Sequence, residues 1–413
     1  MENILKRPQI KKFGWYGLLK NLKFFEPYLL LYLIFSQLSF TEIGVLYAIR
    51  EAIVYIFEIP SGVFADRYGK KTELYICFSF YILSFIGFYL ASSFVLFLIP
   101  MVLYGLGEAF RSGTHKAMIM EYLDQEDLKI SKRQVYGYTR AYSNIGSTIS
   151  SIFGVGLILF VPDLNILFLV AIIPYIAVII LIMTYPSYMN NRIENTFTWK
   201  GFLKENIDSI KYAFNAKKLR RYLFDTSTFQ AVFKSIKDYI QPLIYTAGIT
   251  FILIKNVSLD QNIKVYIGLT YATAQFISIF VSKNAYRIRK ILPTDIILFG
   301  TWIMTALFAI LLGVFDASII IILIAIQAFY IALNIRKPYM VQRIGDATEN
   351  NKRASVLSIE SQLTSLMIII LAPILGLISD SYSIETMFLC LGIGLLIYAC
   401  VQYLFKRRTK EGV

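Results

Sequence analysis

Apolar runs of about twenty residues recur along the whole length of this 413-residue chain. Each is long enough to cross the hydrocarbon core of a bilayer. Lipid offers no partner to an unpaired backbone N–H or C=O, so only helices and closed barrels span it. The runs are continuous and do not alternate apolar with polar, which selects helices. Charged residues make up 16% of the chain and hydrophobic ones 57%, against roughly 25% and 45–50% in soluble domains. The expected fold class is an all-α integral membrane protein with twelve transmembrane helices in two six-helix halves.

The runs fall near residues 14–36, 42–63, 73–92, 95–120, 136–160 and 164–185, then 222–247, 263–283, 292–314, 317–335, 353–379 and 384–405. A polar stretch separates the two sets and contains an amphipathic run, Trp199–Phe214, suited to lying along the membrane surface. The expected domains are therefore an N-terminal half over 1–187, a cytoplasmic linker over 188–221 and a C-terminal half over 222–413. Two sets of six spans joined by a linker are the pattern of a duplicated transporter.

The formal charge of +14 does not point to nucleic acid, because its placement follows membrane orientation. Basic clusters occupy alternate loops, among them Arg67, Lys70 and Lys71; Lys129, Lys132 and Arg133; Arg287, Arg289 and Lys290; and Lys406, Arg407 and Arg408. The loops between them, such as 91–94 and 161–165, carry almost no positive charge. The positive-inside rule then places both termini in the cytoplasm of a plasma-membrane protein. Cys77, Cys390 and Cys400 lie in apolar runs without metal-ligand spacing and read as packing residues. No phosphate-binding glycine loop, metal ligand set or nucleophile triad occurs, so neither enzyme activity nor a cofactor is expected.

The segment from Glu51 to Lys71 concentrates chemistry. It carries Glu51, Glu58 and Pro60 in an apolar run and then Gly62, Asp66, Arg67, Gly69, Lys70 and Lys71. A carboxylate within a membrane helix is costly and is a functional-site candidate by default. Glu51 and Glu58 are seven apart and share one helix face. Glycines at 62 and 69 suit close helix approach and a tight turn.

Gly62-x3-Asp66-Arg67-x-Gly69-Lys70-Lys71 resembles the motif that the major facilitator superfamily carries between its second and third helices. The resemblance implies a twelve-helix secondary transporter in which these residues form a cytoplasmic gate. The wider pattern, Glu51, Glu58, Pro60, Asp66, Lys70 and Lys71, looks like that of the TetA(P)-type tetracycline efflux branch, where both acids support efflux. One departure stands against drug antiport. The fifth span reads Asn144-Ile-Gly146 through Gly154-Val-Gly156 and lacks that class's proline-bearing glycine motif.

Other charges sit inside spans. The fourth carries Gly105-Leu-Gly107-Glu108 and then Arg111 and His115, expected on one helical stripe. The first offers Asn21, Lys23, Glu26 and Pro27, and the seventh Lys234, Lys237, Asp238, Gln241 and Pro242. Charges followed by proline in corresponding helices of the two halves point to a central binding site. Arg50 is expected to pair with an acid of the first or fourth helix. Tyr330, Asn334 and Glu360 add polar groups to the tenth and eleventh spans. Each charge at mid-membrane costs about 3 kcal/mol, so these groups line a wet cavity or pair with one another.

Glu51, with Glu26, Glu108 and Glu58, is the set of proton-coupling candidates. Lys23, Asn21, Arg50, Arg111, His115, Lys234, Lys237, Asp238, Gln241, Tyr330, Asn334 and Glu360 are the cavity candidates, and no metal site is expected. The expected partners are a small-molecule substrate, protons and the lipid bilayer, with the chain functional as a monomer. Three readings remain open: proton-coupled efflux of a tetracycline-like drug, transport of an anionic or zwitterionic metabolite or metal chelate, and a non-transporting receptor or scaffold.

Overall fold

The computed structural model describes residues 4–128, 132–161, 163–190, 210–248, 253–288, 291–315, 318–349 and 352–411. The expected amphipathic run lies outside these up to residue 209, as do the basic positions Lys129, Arg289 and Lys290. Among the described residues nine helices are long and apolar enough to cross a membrane. Their exposed faces are apolar. On α8 (Ile166–Met183), Ile173, Ile176 and Ile180 point outward while Phe168, Tyr175 and Val178 are buried. Spacings of three and four mark two faces of one helix, both apolar, as a lipid solvent requires.

Several spans differ from the continuous rods expected. The first is broken. Helix α1 (Pro8–Leu19) ends before Lys20, a 3-10 turn covers Glu26–Tyr28, and α2 (Leu29–Phe35) follows. The amides of Asn21, Leu22, Glu26 and Tyr28 bond three residues back, the tighter 3-10 pattern. Pro27 has no N–H to donate and disfavours helix in the residue before it.

Helix α3 (Phe40–Tyr68) runs past the expected end of the second span, so Asp66 and Arg67 are helical. The turn is a single residue, Gly69 at φ +98°, after which α4 (Lys70–Leu90) begins. The fourth span is likewise split. Helix α5 (Phe94–Arg111) gives way to extended Ser112 and to Gly113 at φ +80°, and α6 (Thr114–Gln125) resumes. Positive φ is cheap only for glycine. The break puts Glu108 and Arg111 on one helix and His115 on the next, so they do not form the single stripe expected. The chain continues through α7 (Lys132–Phe160) to α8.

In the second part of the chain α9 (Lys217–Ile236) passes through a 3-10 turn, Lys237–Tyr239, into α10 (Ile240–Ala247). Then come α11 (Leu259–Ile288), α12 (Thr294–Val314), α13 (Ile319–Asp346), α14 (Arg353–Ser381) and α15 (Ile384–Glu411). The interruptions in the first and seventh spans both fall where charged residues precede proline, at Lys23, Glu26 and Pro27 and at Lys237, Asp238 and Pro242.

The chain forms two compact units. Unit 1 comprises residues 1–38, 45–196 and 256–272, and unit 2 comprises 39–44, 197–255 and 273–413. In unit 1, α4 packs on α5 and α8, and α1 on α7. Phe168 stacks on Phe25 at 4.6 Å and on Phe88 at 4.9 Å between ring centroids, the offset arrangement that adds to burial energy. In unit 2, α12 packs on α13 and α15, and α9 on α14. The amides of Phe40 and Thr41 donate to the Asp380 carboxylate at 2.9 and 2.7 Å. A carboxylate there satisfies N–H groups that a helix start leaves unpaired and complements its dipole.

Candidate functional site

The centre of unit 1 is a charge cluster built on α5 and the break after α1. Glu108 bonds two cations, Lys23 at 3.1 Å and Arg111 through its other carboxylate oxygen. Lys23 donates to the Tyr104 hydroxyl at 2.6 Å and Arg111 to the Tyr81 hydroxyl at 3.0 Å. The side chains of Lys23, Glu108 and Arg111 keep 16, 23 and 27% exposure, so solvent or a solute reaches them. Small residues make this possible. A Cβ at Gly105 would stand 2.9 Å from the Arg50 carbonyl oxygen, and one at Gly107 3.0 Å from the Tyr81 ring. Their absence lets α3 and the Tyr81 ring lie against α5 beside Glu108.

Arg50 does not reach the first or fourth helix for its acid. It pairs with its own neighbour Glu51 at 3.0 Å and lies over the Tyr47 ring. Glu51 is buried, at 5% exposure. Glu58 accepts from Ser112 at 2.7 Å, and Ser61 donates to the Ala109 carbonyl at 3.0 Å, so the inner end of α3 is braced against α5. Asn21 donates to the Gly17 carbonyl at 2.6 Å, a bond that ends α1, and Glu26 is exposed.

His115 stands apart from the cluster. Its ring stacks on Tyr16 with centroids 3.5 Å apart, meets Phe13 edge-on and shares a 3.1 Å hydrogen bond with the Tyr185 hydroxyl. Tyr185 lies just past the end of α8, where burial pushes its phenol above the ordinary value and keeps it a neutral partner.

The gate-motif residues find their described partners inside unit 1. Lys70 pairs with Glu121 at 2.6 Å, and Lys71 donates to the Tyr185 carbonyl at 2.8 Å. The Asn190 side chain accepts from the Lys71 amide at 3.0 Å over the Gly69 turn. Asp66 and Arg67 are exposed. Gly62 meets nothing within 4 Å of a would-be Cβ, so the close approach expected there is absent among the described residues.

The unit 2 candidates are mostly tied into local hydrogen bonds. Lys237 pairs with Asp238 at 2.7 Å, Gln241 is buried beside Asp238, and Lys234 is exposed. Gln230 donates to Glu360 at 2.6 Å, and Asn334 bridges Ser278 and Ser282. Tyr330 packs edge-on against Phe233.

Three features escaped the sequence reading. Lys20, just past α1, lies 5.5 Å from the Tyr16 ring centroid. Glu73 is fully buried at the start of α4 and accepts from Thr114 at 2.6 Å. In unit 2, Asp225 bonds Arg336 and accepts from the Trp302 indole at 2.8 Å, while Arg336 also donates to the Leu298 carbonyl and Thr301. For Lys20 the signal was its three-residue spacing from Lys23 ahead of a proline. Glu73 and Asp225 gave none.

Comparison with known proteins places this geometry in context. The family model of the Major Facilitator Superfamily matches residues 21–335. An uncharacterized MFS-type transporter of Bacillus subtilis (strain 168), YxaM, is 23% identical over 381 residues, covering 90% of this chain and 89% of that protein. Among solved structures, the nucleoside transporter NupG superposes with a TM-score of 0.75 at 12% identity, covering 97% of this chain and all of that one. A POT family transporter in complex with 5-aminolevulinic acid gives 0.77 at 11% identity, with 98% of each chain covered. At these identities the two structures speak to the fold.

Proposed function

Because the chain belongs to the Major Facilitator Superfamily and is a multi-pass membrane transporter of that type, we propose that it moves a small solute by proton-coupled alternating access, with Glu108 as the switch carboxylate. The single observation behind this reading is that Glu108 holds two cations, Lys23 and Arg111, while all three keep partial exposure. A partly exposed carboxylate held between two cations is a two-state element. Deprotonated, it bonds both. Protonated, it releases both to a solute, and solute and proton are thereby linked. Glu51, paired with Arg50, is the second proton-linked group. The broken first and seventh spans, with charges before proline, suit mid-membrane binding by a chain of two repeats, 1–187 and 222–413. The placement of basic loops supports a plasma-membrane protein with both termini in the cytoplasm.

Drug efflux of the tetracycline type is a second reading. It rests on the acids of α3, and the bracing of Glu58 onto Ser112, just past α5, favours a supporting role for that motif.

Proteoliposomes loaded with a pH-sensitive dye test both readings. A panel of organic anions, zwitterions, cations and tetracyclines is added to wild type, Glu108→Gln and Glu51→Gln. Solute-triggered proton flux that both substitutions abolish, with folded protein in the bilayer, is the expected result. Flux of equal size in Glu108→Gln removes the switch role from Glu108. A response to tetracyclines alone moves the assignment to drug efflux.

A further inference from the structure

Lys20 is the cation that the site's own acids do not neutralise. Its charged neighbours in unit 1 are Arg111, Glu108 and Lys23, and those of Lys23 and Arg50 add Glu26 and Glu51. Four cations, Lys20, Lys23, Arg50 and Arg111, therefore face three carboxylates, Glu26, Glu51 and Glu108. Lys23 and Arg111 share Glu108, and Arg50 holds Glu51. Among the described residues no acid stands within ion-pair distance of Lys20, whose ammonium faces only the Tyr16 ring, 5.5 Å from its centroid.

The position is built. Tyr175, itself 1% exposed, donates its hydroxyl to the Lys20 carbonyl at 3.1 Å and fixes the chain where α1 ends. Tyr16 is clamped in turn by stacking on His115. A half-buried ammonium among like charges in a membrane protein is costly unless an anion completes it. The Tyr16 ring beside Lys20 and the Tyr81 and Tyr104 rings beside Lys23 supply flat apolar walls and hydroxyl groups, the lining that small organic ligands take.

We propose that Lys20, together with Lys23 and Arg111, forms an anion subsite and that the transported solute is a small organic anion whose acid group docks there against the tyrosine rings. The anion supplies the negative charge the cluster lacks. In the transport cycle it exchanges with Glu108 for Arg111 and Lys23, so a deprotonated Glu108 and a bound anion are alternative ways of satisfying the same two cations. The inference rests on the transport reading only in taking the bound anion for cargo.

Three compounds of one shape separate charge from ring: benzoate, benzylamine and benzyl alcohol. Benzenephosphonate extends the anion set. Thermal unfolding of the purified full chain in lipid nanodiscs reports binding for wild type, Lys20→Gln and Lys20→Arg. Unfolding midpoints without compound establish that the variants fold.

The expected result is protection by benzoate or benzenephosphonate and by neither benzylamine nor benzyl alcohol. Lys20→Gln weakens it about tenfold, in line with about 1.5–3 kcal/mol for a hydrogen bond to a charged group, and Lys20→Arg restores it. Equal protection by all three benzyl compounds overturns the proposal. So does undiminished anion protection in Lys20→Gln, or no protection by either anion.

Proton flux in liposomes separates this result from the transport reading. Anion protection without proton flux leaves the subsite standing and removes proton coupling. Proton flux driven by benzylamine, with no protection by either anion, does the reverse.

Discussion

Arg111 in unit 1 and Arg336 in unit 2 are each bonded to a carboxylate on a membrane helix and flanked by aromatic rings, yet their side chains are 27% and 2% exposed. Arg336 is sealed. It lies over the Phe229 and Trp302 rings, and its acid, Asp225, also takes the Trp302 indole N–H. Apart from the Arg336 Nε–H, the strong groups of that cluster are bonded to other side chains or carbonyls of unit 2. Arg111 shares Glu108 with Lys23, and beside it Lys20 has no acid within ion-pair distance among the described residues. The same chemistry thus serves two ends. A closed pair fixes helix packing, whereas an open and unbalanced cluster has something left to bind. Exposure and charge balance, more than the presence of an intramembrane arginine, tell them apart.

Breaking the closed pair should have the largest effect on stability. Asp225→Ala leaves Arg336 as a buried, unmatched cation and strips the Trp302 indole of its acceptor. Removing one partner of a buried pair costs about 3–5 kcal/mol. Thermal unfolding in nanodiscs should show a large drop or loss of folded protein. A variant as stable as wild type would mean that the pair is not what holds α9, α12 and α13 together.

Breaking the open cluster should leave folding largely intact and remove transport. Glu108→Gln keeps the shape and hydrogen-bonding reach of the side chain but cannot switch between two charge states. We expect solute-driven proton flux to fall by roughly ten- to a hundredfold, the range set by about 1.5–3 kcal/mol for a charge-assisted bond. The unfolding midpoint should move far less than in Asp225→Ala. If both variants lose stability equally, the contrast between the two arginines fails.

A third pair of substitutions sharpens the contrast at the level of packing. Gly105→Val places methyl groups where the Arg50 carbonyl and the Ile53 side chain already stand, and overpacking costs about 1–3 kcal/mol. It should also displace α5 and lower transport. Gly62→Ala adds a methyl group to open space on α3 and, by helix propensity, is neutral or stabilising by up to about 1 kcal/mol. Unfolding midpoints and flux of the two variants, measured side by side, check this. A transport defect in Gly62→Ala would show that its missing Cβ serves a closed state of the gate.

Much of the fold was legible because lipid makes apolar length a strong signal, and the basic loops supplied its punctuation. The breaks were harder to see. Nothing in Arg111-Ser112-Gly113-Thr114 announces that the fourth span stops and restarts, because glycine is common within membrane helices and only its backbone geometry shows that one is at positive φ. Glu108 and Arg111 were readable as a pair from their spacing. The partners that tune them, Tyr81 and Tyr104, come from other turns and helices, and no local pattern links them. Asp225 was missed for the same reason, since its arginine is more than a hundred residues away. Lys20 was visible as a residue, but its lack of an acid is a three-dimensional fact.

The smallest effect on pH dependence is expected at the one histidine. Its ionisation range made His115 a natural candidate for a proton-linked group. Its surroundings are those of an aromatic ring in a core: Tyr16 on one face, Phe13 at the edge and the Tyr185 hydroxyl at Nε2. The charges that act on it, Lys20 and Arg111, are both positive, and among the described residues no carboxylate bonds its ring. His115→Phe should therefore keep the stacking, lose one hydrogen bond worth about 1 kcal/mol, and leave the shape of the transport-versus-pH curve unchanged. Glu108→Gln should abolish whatever pH dependence the wild type shows. Measuring flux across the pH range for both variants places the proton on one side of the Ser112–Gly113 break or the other. A profile that shifts in His115→Phe and persists in Glu108→Gln would move proton coupling from the open cluster to the aromatic box of α6.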